Sequence, residues 1–229
     1  MQAVILAAGE GKRLRPLTND IPKPMVQVGG KPILEHTLLS LPKKIKEVIL
    51  IVGYKAEVIK NYFGSSFRHF NIRYVTQEHP LGTGHAAELA RPFLRGGSFL
   101  LIYADDFYNP QDILDCVNAG YSTVLVHEVA HPERFGICTI ANDGRVIDII
   151  EKPQFSDNNL ALVGVHKLHT DIFNIPKSQL PNGEYNLTGQ VSDFSKTKPV
   201  YAIKARFWHP IGYPEDIEAV EKKLSIKQI

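Results

Sequence analysis

Residues 9–24, GEGKRLRPLTNDIPKP, place two glycines, three closely spaced cations and a fourth cation in one short stretch. The glycines are Gly9 and Gly11; the cations are Lys12, Arg13, Arg15 and, between Pro22 and Pro24, Lys23. Glycine lets backbone N–H groups approach an anion closely, and a guanidinium fork fits phosphate oxygens, while lysine supplies a movable point charge. The stretch reads as a phosphate-holding loop, yet it is neither of the two best-known kinds. A P-loop requires GxxxxGK[ST], but here Arg13 follows Gly11-Lys12 and Leu6 occupies the first glycine's place. A dinucleotide fingerprint requires GxGxxG at a helix start, but its third glycine is Leu14 and Pro16 follows closely.

A second reactive group closes the apolar run SFLLIYADD (98–106) with Asp105 and Asp106. Hard carboxylate oxygens beside phosphates suit Mg²⁺, which keeps several waters of its own. Capping of the helix expected near Pro110, or simple exposure, is the alternative for Asp106. His127-Glu128-Val129-Ala130-His131 spells the zinc-protease pattern HExxH, which works only on a helix. It follows the β-branched STVLV and precedes Pro132, so an extended chain is expected, with the two histidines roughly 13 Å apart. They cannot share one zinc. Cys116 and Cys138 fit no metal or redox spacing and read as buried, reduced thiols.

The elements that must position these groups alternate regularly in the first half. AVILAA (3–8), EVILIVG (47–53), IRYVTQ (72–77) and SFLLIYADD read as strands. Helices are expected over 31–41, 56–63 and about 84–93, and this βαβα rhythm implies a doubly wound sheet. In the second half 122–129, 136–141, 145–152 and 160–168 read as strands with short links, antiparallel in flavour. Ala141 to Gly144 reads as a hairpin turn. A last strand (199–205) and an amphipathic helix (214–224) close the chain, with NGEYNLTGQ (182–190) between as a polar loop. The expectation is one unit over 1–229, with a nucleotide half (about 1–120) and an acceptor half (about 121–229).

Of the 229 residues 44% are hydrophobic and 22% charged, with a net charge of +2, which describes a globular domain rather than a nucleic-acid binder. The start MQAVILAAG lacks the cationic lead of a signal segment, and no run is long enough for a membrane span. A cytoplasmic protein without nucleic-acid or membrane partners is expected; a homo-oligomer is compatible with the sequence.

Together these pieces resemble the sugar-1-phosphate nucleotidyltransferases, or NDP-sugar pyrophosphorylases. That family's signature is GxGxRLxPxTxxxPKP, and Gly9, Gly11, Arg13, Leu14, Pro16, Thr18, Pro22, Lys23 and Pro24 match every fixed place. QEHPLGTGHA (77–86), the YADD terminus, FGICTIANDGRVIDIIEKP (135–153), GEYNLTG (183–189) and WHPIGYPED (208–216) agree in order. The resemblance implies a Rossmann-like α/β fold with a doubly wound mixed sheet, of the glycosyltransferase-A-like nucleotidyltransferase kind. It also implies a transferase of nucleotide-sugar biosynthesis, in which a sugar 1-phosphate attacks the α-phosphate of an NTP in line, with Mg²⁺, releasing pyrophosphate.

By resemblance, Arg13 and Lys23 hold the triphosphate, Asp105 binds the metal, and Ala8, Gly9 and Gly11 line the nucleotide. Gln77, Gly82 and Thr83 fall where the family reads the base. A side-chain amide offers the donor and acceptor that match uracil or thymine, so UTP or dTTP is expected. GTGHA looks most like the N-acetylglucosamine 1-phosphate uridylyltransferases, although the hexapeptide-repeat domain of the bifunctional members is not in these 229 residues. Gly136 and Glu151 match sugar-binding positions, and Lys152 matches the lysine that meets the sugar phosphate. Two departures stand out: Pro210 occupies the place of an acidic or asparagine metal ligand, and Gly189 that of another acid. Asp106, His209 or water is left to complete the metal's shell. The alternative function is a non-catalytic nucleotide-sugar-binding regulator of the same fold; a transferase for a non-sugar phosphate, such as phosphocholine with CTP, fits the EKP and FG elements less well.

Overall fold

The computed structural model describes residues 1–226. Its centre is a ten-stranded mixed sheet. The first half supplies β1 (Gln2–Ala7), α1 (Ile33–Leu39), β2 (Glu47–Val52), α2 (Ala56–Phe63), β3 (Phe70–Thr76), α3 (Thr83–Leu89) and β4 (Ser98–Tyr103). The order β3-β2-β1-β4 is parallel throughout. The chain therefore builds outward from β1 on one side, then crosses to β4 on the other. The place where that direction reverses lies between the carboxyl ends of β1 and β4, where such sheets bind ligands.

After β4 come β5 (Asp106–Tyr108), α4 (Pro110–Asn118), β6 (Ser122–Glu128), β7 (Gly136–Ile140), β8 (Val146–Glu151) and β9 (Leu160–His169). Next are α5 (Leu187–Thr197), β10 (Val200–Lys204), β11 (Trp208–Pro210) and α6 (Pro214–Ile226). Strand β9 is the hinge of the architecture. It pairs antiparallel with β4, with β7 and with β6, so one ten-residue strand joins the parallel part of the sheet to its antiparallel part. Outside the sheet, β5 and β11 form a two-stranded ladder that sets Asp106 opposite Pro210.

The strands of β1, β2 and β4 are buried on both faces, as their continuous apolar runs require. One apolar cluster lies on each side of the sheet; Leu50 and Leu100 belong to one, Ile49 and Leu101 to the other. Truncating any of these fully buried leucines to alanine costs about 2–5 kcal/mol. A smaller cluster of Leu14, Val26, Ile33, Phe107, Ile211 and Val220 fastens the glycine-cation loop to β5, β11 and α6.

Helix α2 occupies the expected residues, and the Ala141–Gly144 turn closes with Gly144 N–H donating to Ala141 O at 2.9 Å. The expected helix over 84–93 is shorter, continuing as one 3-10 turn at Arg91–Phe93, and β4 ends two residues before its aspartates. The polar stretch expected as a loop instead turns into α5. Asn186 caps that helix, its side chain accepting from Thr188 N–H, and Leu187, Val191 and Phe194 face the core. Their i, i+4, i+7 spacing was visible beneath the polar composition. Among the described residues no helix is long and apolar enough to cross a membrane.

Candidate active site

Three adjoining clefts open at the reversal between β1 and β4, and all three are lined by Lys23 and Asp105. The cleft over the glycine-cation loop, about 260 Å³, is bounded by Gly9, Gly11, Arg13 and Gly212. Gly11 sits at φ 70°, and a side chain there would meet Lys23 Cβ at 2.6 Å. Only glycine allows the loop to close over Lys23. Thr18 Oγ1 donates to Gly11 O at 2.9 Å and pins the turn from the far side.

The cations of this loop are not equivalent. Glu10 pairs with Lys12 at 3.3 Å and with Arg15; Lys12 borders one cleft, whereas Arg13, which has no carboxylate partner among the described residues, lines two. Lys23 is almost wholly buried, and its Nζ donates to Asp105 Oδ2 at 2.8 Å. A buried ammonium needs such a partner. The Asp105 side chain is 41% exposed, so it can also face a ligand.

Asp106 behaves differently. Trp208 Nε1–H donates to Oδ2 at 2.9 Å and Ile211 N–H to Oδ1 at 3.4 Å. Burial, and then the charge of Asp105, push its carboxyl up to about 7, although Lys23 and the Trp208 bond oppose them. Asp106 does not cap the following helix; Asn109 does, accepting from Gln111 N–H.

The second cleft, about 240 Å³, runs over Leu6, Ala8 and Gly9 to Gln77, Gly82 and Thr83. Gln77 is buried, and its Nε2 donates to Gly82 O at 3.1 Å and to His85 Nδ1 at 3.0 Å. Both amide N–H groups are thus engaged, which leaves Oε1 as the acceptor. Gly82 sits at φ 94°, and a Cβ there would meet Tyr185 O at 2.4 Å.

The third cleft, about 200 Å³, brings Gly136 and Glu151 against Arg13, Asp106 and Pro210. A side chain on Gly136 would meet Thr188 Cγ2 at 2.6 Å and Glu151 Oε2 at 3.2 Å. Lys152 is not brought in: it does not line this cleft, and its exposed Nζ lies 3.7 Å from Glu151 Oε1. It does adopt φ 46°, a left-handed conformation uncommon for lysine. Sequence reasoning missed Tyr103, Arg134 and Trp208, all of which line this cleft. Tyr103 ended an apolar strand and Trp208 was the lone tryptophan, signals that composition alone did not separate from core packing.

His127 lies within β6 and His131 beyond its end, as an extended HExxH demands, and no group of three metal-type ligands occurs among the described residues. His209 does not line any of the three clefts. Both cysteines are buried and free, with burial pushing each thiol up to about 12.

The chain is similar to known proteins in both sequence and fold. The nucleotidyl transferase family model matches residues 2–226. The bifunctional protein GlmU of Methanococcus maripaludis strain C7 is 33% identical over 234 residues, covering all of this chain but 56% of the relative. The chain therefore spans little more than half the length of the GlmU relatives it matches. The UTP–glucose-1-phosphate uridylyltransferase AglF of Haloferax volcanii is 34% identical, covering 98% of this chain and 96% of its own. Among solved structures, an apo UDP-glucose pyrophosphorylase superposes with a TM-score of 0.88 at 22% identity, covering 100% of this chain and 99% of its own. A UDP-glucose pyrophosphorylase from Acinetobacter baumanii gives 0.86 at 22%, covering 99% and 93%. At that identity these two establish the shared fold. The chain belongs to the nucleotidyl transferase family.

Proposed function

We propose that the protein transfers a nucleoside monophosphate from an NTP to a sugar 1-phosphate, releasing pyrophosphate. The observation that carries this reading is that three clefts, suited to a base, a polyphosphate and a polyol phosphate, meet at one ion pair between the buried Lys23 and the partly exposed Asp105. Transfers of this kind need alignment and charge stabilisation rather than a covalent intermediate. Gly9, Gly11 and Arg13 bind the triphosphate, and Lys23 stabilises negative charge that develops on the departing pyrophosphate. Gly136 and Glu151 orient the sugar so that its phosphate oxygen faces the α-phosphorus; Lys152 reaches that phosphate only if its side chain swings inward.

Gln77 suits a base that presents a ring N–H, as uracil and thymine do. With both its N–H groups engaged, Oε1 can accept from N3–H of uracil or thymine, whereas cytosine offers no proton at that place. The matching donor must then come from another group, such as the Gly82–Thr83 backbone. UTP or dTTP is the donor on this reading, in keeping with the uridylyltransferase relative.

Asp105 and Asp106 provide hard oxygen donors next to the phosphate loop, which fits Mg²⁺ held by one or two carboxylates, substrate phosphates and water. Pro210 offers no donor, so Asp106, its partner in the β5–β11 ladder, is the second carboxylate within reach. When bound, the ion supplies charge neutralisation at the phosphates. A location in the cytoplasm fits two buried, unpaired cysteines.

Pyrophosphate release from each NTP across a panel of sugar 1-phosphates tests the reading. Turnover with UTP or dTTP is expected; folded protein that binds an NDP-sugar in calorimetry without turnover in any combination would make it a sensor instead.

A further inference from the structure

The ring of Tyr213 gathers two guanidiniums. Arg13 Cζ lies 5.1 Å from its centroid and Arg134 Cζ 5.7 Å. Arg13 arrives from the loop after β1, and Arg134 from the 3-10 turn Pro132–Arg134 that precedes β7. Both line the cleft that holds Gly136 and Glu151. Neither makes an ion pair with a carboxylate among the described residues, whereas Glu10 takes the neighbouring Lys12 and Arg15. Two like charges brought to one ring, without an acid between them, repel each other. A guanidinium pair of that kind is suited to a ligand carrying several anionic oxygens.

The backbone that carries the ring is anchored. Asp216, in the first turn of α6, accepts from Gly212 N–H at 2.7 Å and from Tyr213 N–H at 2.8 Å through one oxygen. The segment runs beside Arg13: a Cβ at position 212 would stand in ordinary contact, 3.7 Å from Arg13 Nη2. The aromatic face then attracts both cations through its quadrupole and offsets part of their repulsion.

We infer that Arg134 is a phosphate-binding residue, paired with Arg13 across Tyr213, and that Tyr213 is its positioning residue. The inference rests on the proposed reading of the clefts as phosphate sites. It adds a cation that no motif in the chain pointed to, at the junction between the phosphate loop and the sugar-side cleft. Lys152, the cation expected there by resemblance, does not line that cleft.

The test is calorimetric titration of the full-length protein with inorganic pyrophosphate, alongside thermal melting of each variant. Arg134→Gln should weaken binding by roughly 10-fold or more, the scale of losing a charge-assisted contact. Tyr213→Leu should weaken it also, while Tyr213→Phe, which keeps the ring, should stay within about twofold of wild type. Melting temperatures should not separate Phe from Leu at this position if the ring acts by orienting cations. Wild-type binding with Arg134→Gln unchanged overturns the pair alone. Equal binding by Tyr213→Phe and Tyr213→Leu overturns the positioning role. Failure of the wild type to bind pyrophosphate removes the phosphate reading of the whole cleft, and this pair with it.

Discussion

Two walls face each other across the central cleft, and they are built on opposite plans. The Gly9–Pro24 wall is local: Glu10 takes two of its cations, Thr18 ties its turn, and the buried Lys23 reaches one acid just past the end of β4. The Trp208–Pro214 wall is assembled from distance. Its tryptophan holds Asp106, its backbone is held by Asp216, and its tyrosine gathers arginines from two other segments. The first wall has the charges to hold phosphate whatever stands opposite. The second is where position 210 lacks a donor, and where a neighbouring acid and an arginine pair come into play.

Substitutions on the first wall should therefore have the largest effects on turnover. Arg13→Ala and Asp105→Asn are each expected to lower it by at least ~10²-fold, read as pyrophosphate release. Next comes Gly11→Ala, which forces a left-handed φ on a residue whose new Cβ meets Lys23. It should cost about 2 kcal/mol in chemical denaturation. An unaffected Gly11→Ala protein would mean that the loop is not as tightly closed as this contrast requires.

On the second wall the expected effects are smaller. Trp208→Phe keeps an aromatic ring but removes one donor from Asp106, costing about 1 kcal/mol and raising the Asp106 pKa above its present value of about 7. An NMR titration of the Asp106 carboxyl checks the direction. The pH dependence is subtler. An acid whose folded pKa is raised from about 3.9 binds more protons folded than unfolded between those two values. Its contribution to stability is full below about pH 4 and is lost as pH rises towards about 7. Asp106→Asn should flatten that part of the stability profile, measured by denaturation at several pH values. A profile unchanged by the substitution would place Asp106 in open water.

Much of this was legible in the chain. Continuous apolar runs marked β1, β2 and β4 because a strand buried on both faces has no polar side to display. The phosphate loop was legible because glycine, proline and cation requirements fall on adjacent residues. Helix α5 was hidden by its polar surface, although Leu187, Val191 and Phe194 carry the helical period. The partition of cations was not legible at all. Which of Lys12, Arg13 and Arg15 is left without an acid depends on where Glu10 points, and Arg134 joins Arg13 at the Tyr213 ring only in the folded chain. Likewise the amide of Gln77 offered donor and acceptor on paper, while the fold engages its donors with Gly82 and His85.

The central claim is that base, polyphosphate and sugar phosphate share one site around Lys23 and Asp105. A crystal structure of the protein with a non-hydrolysable UTP analogue tests it most directly. The account predicts the phosphates against Gly9, Gly11 and Arg13 and the base beside Gln77. Phosphates bound away from Lys23 and Asp105 would contradict it.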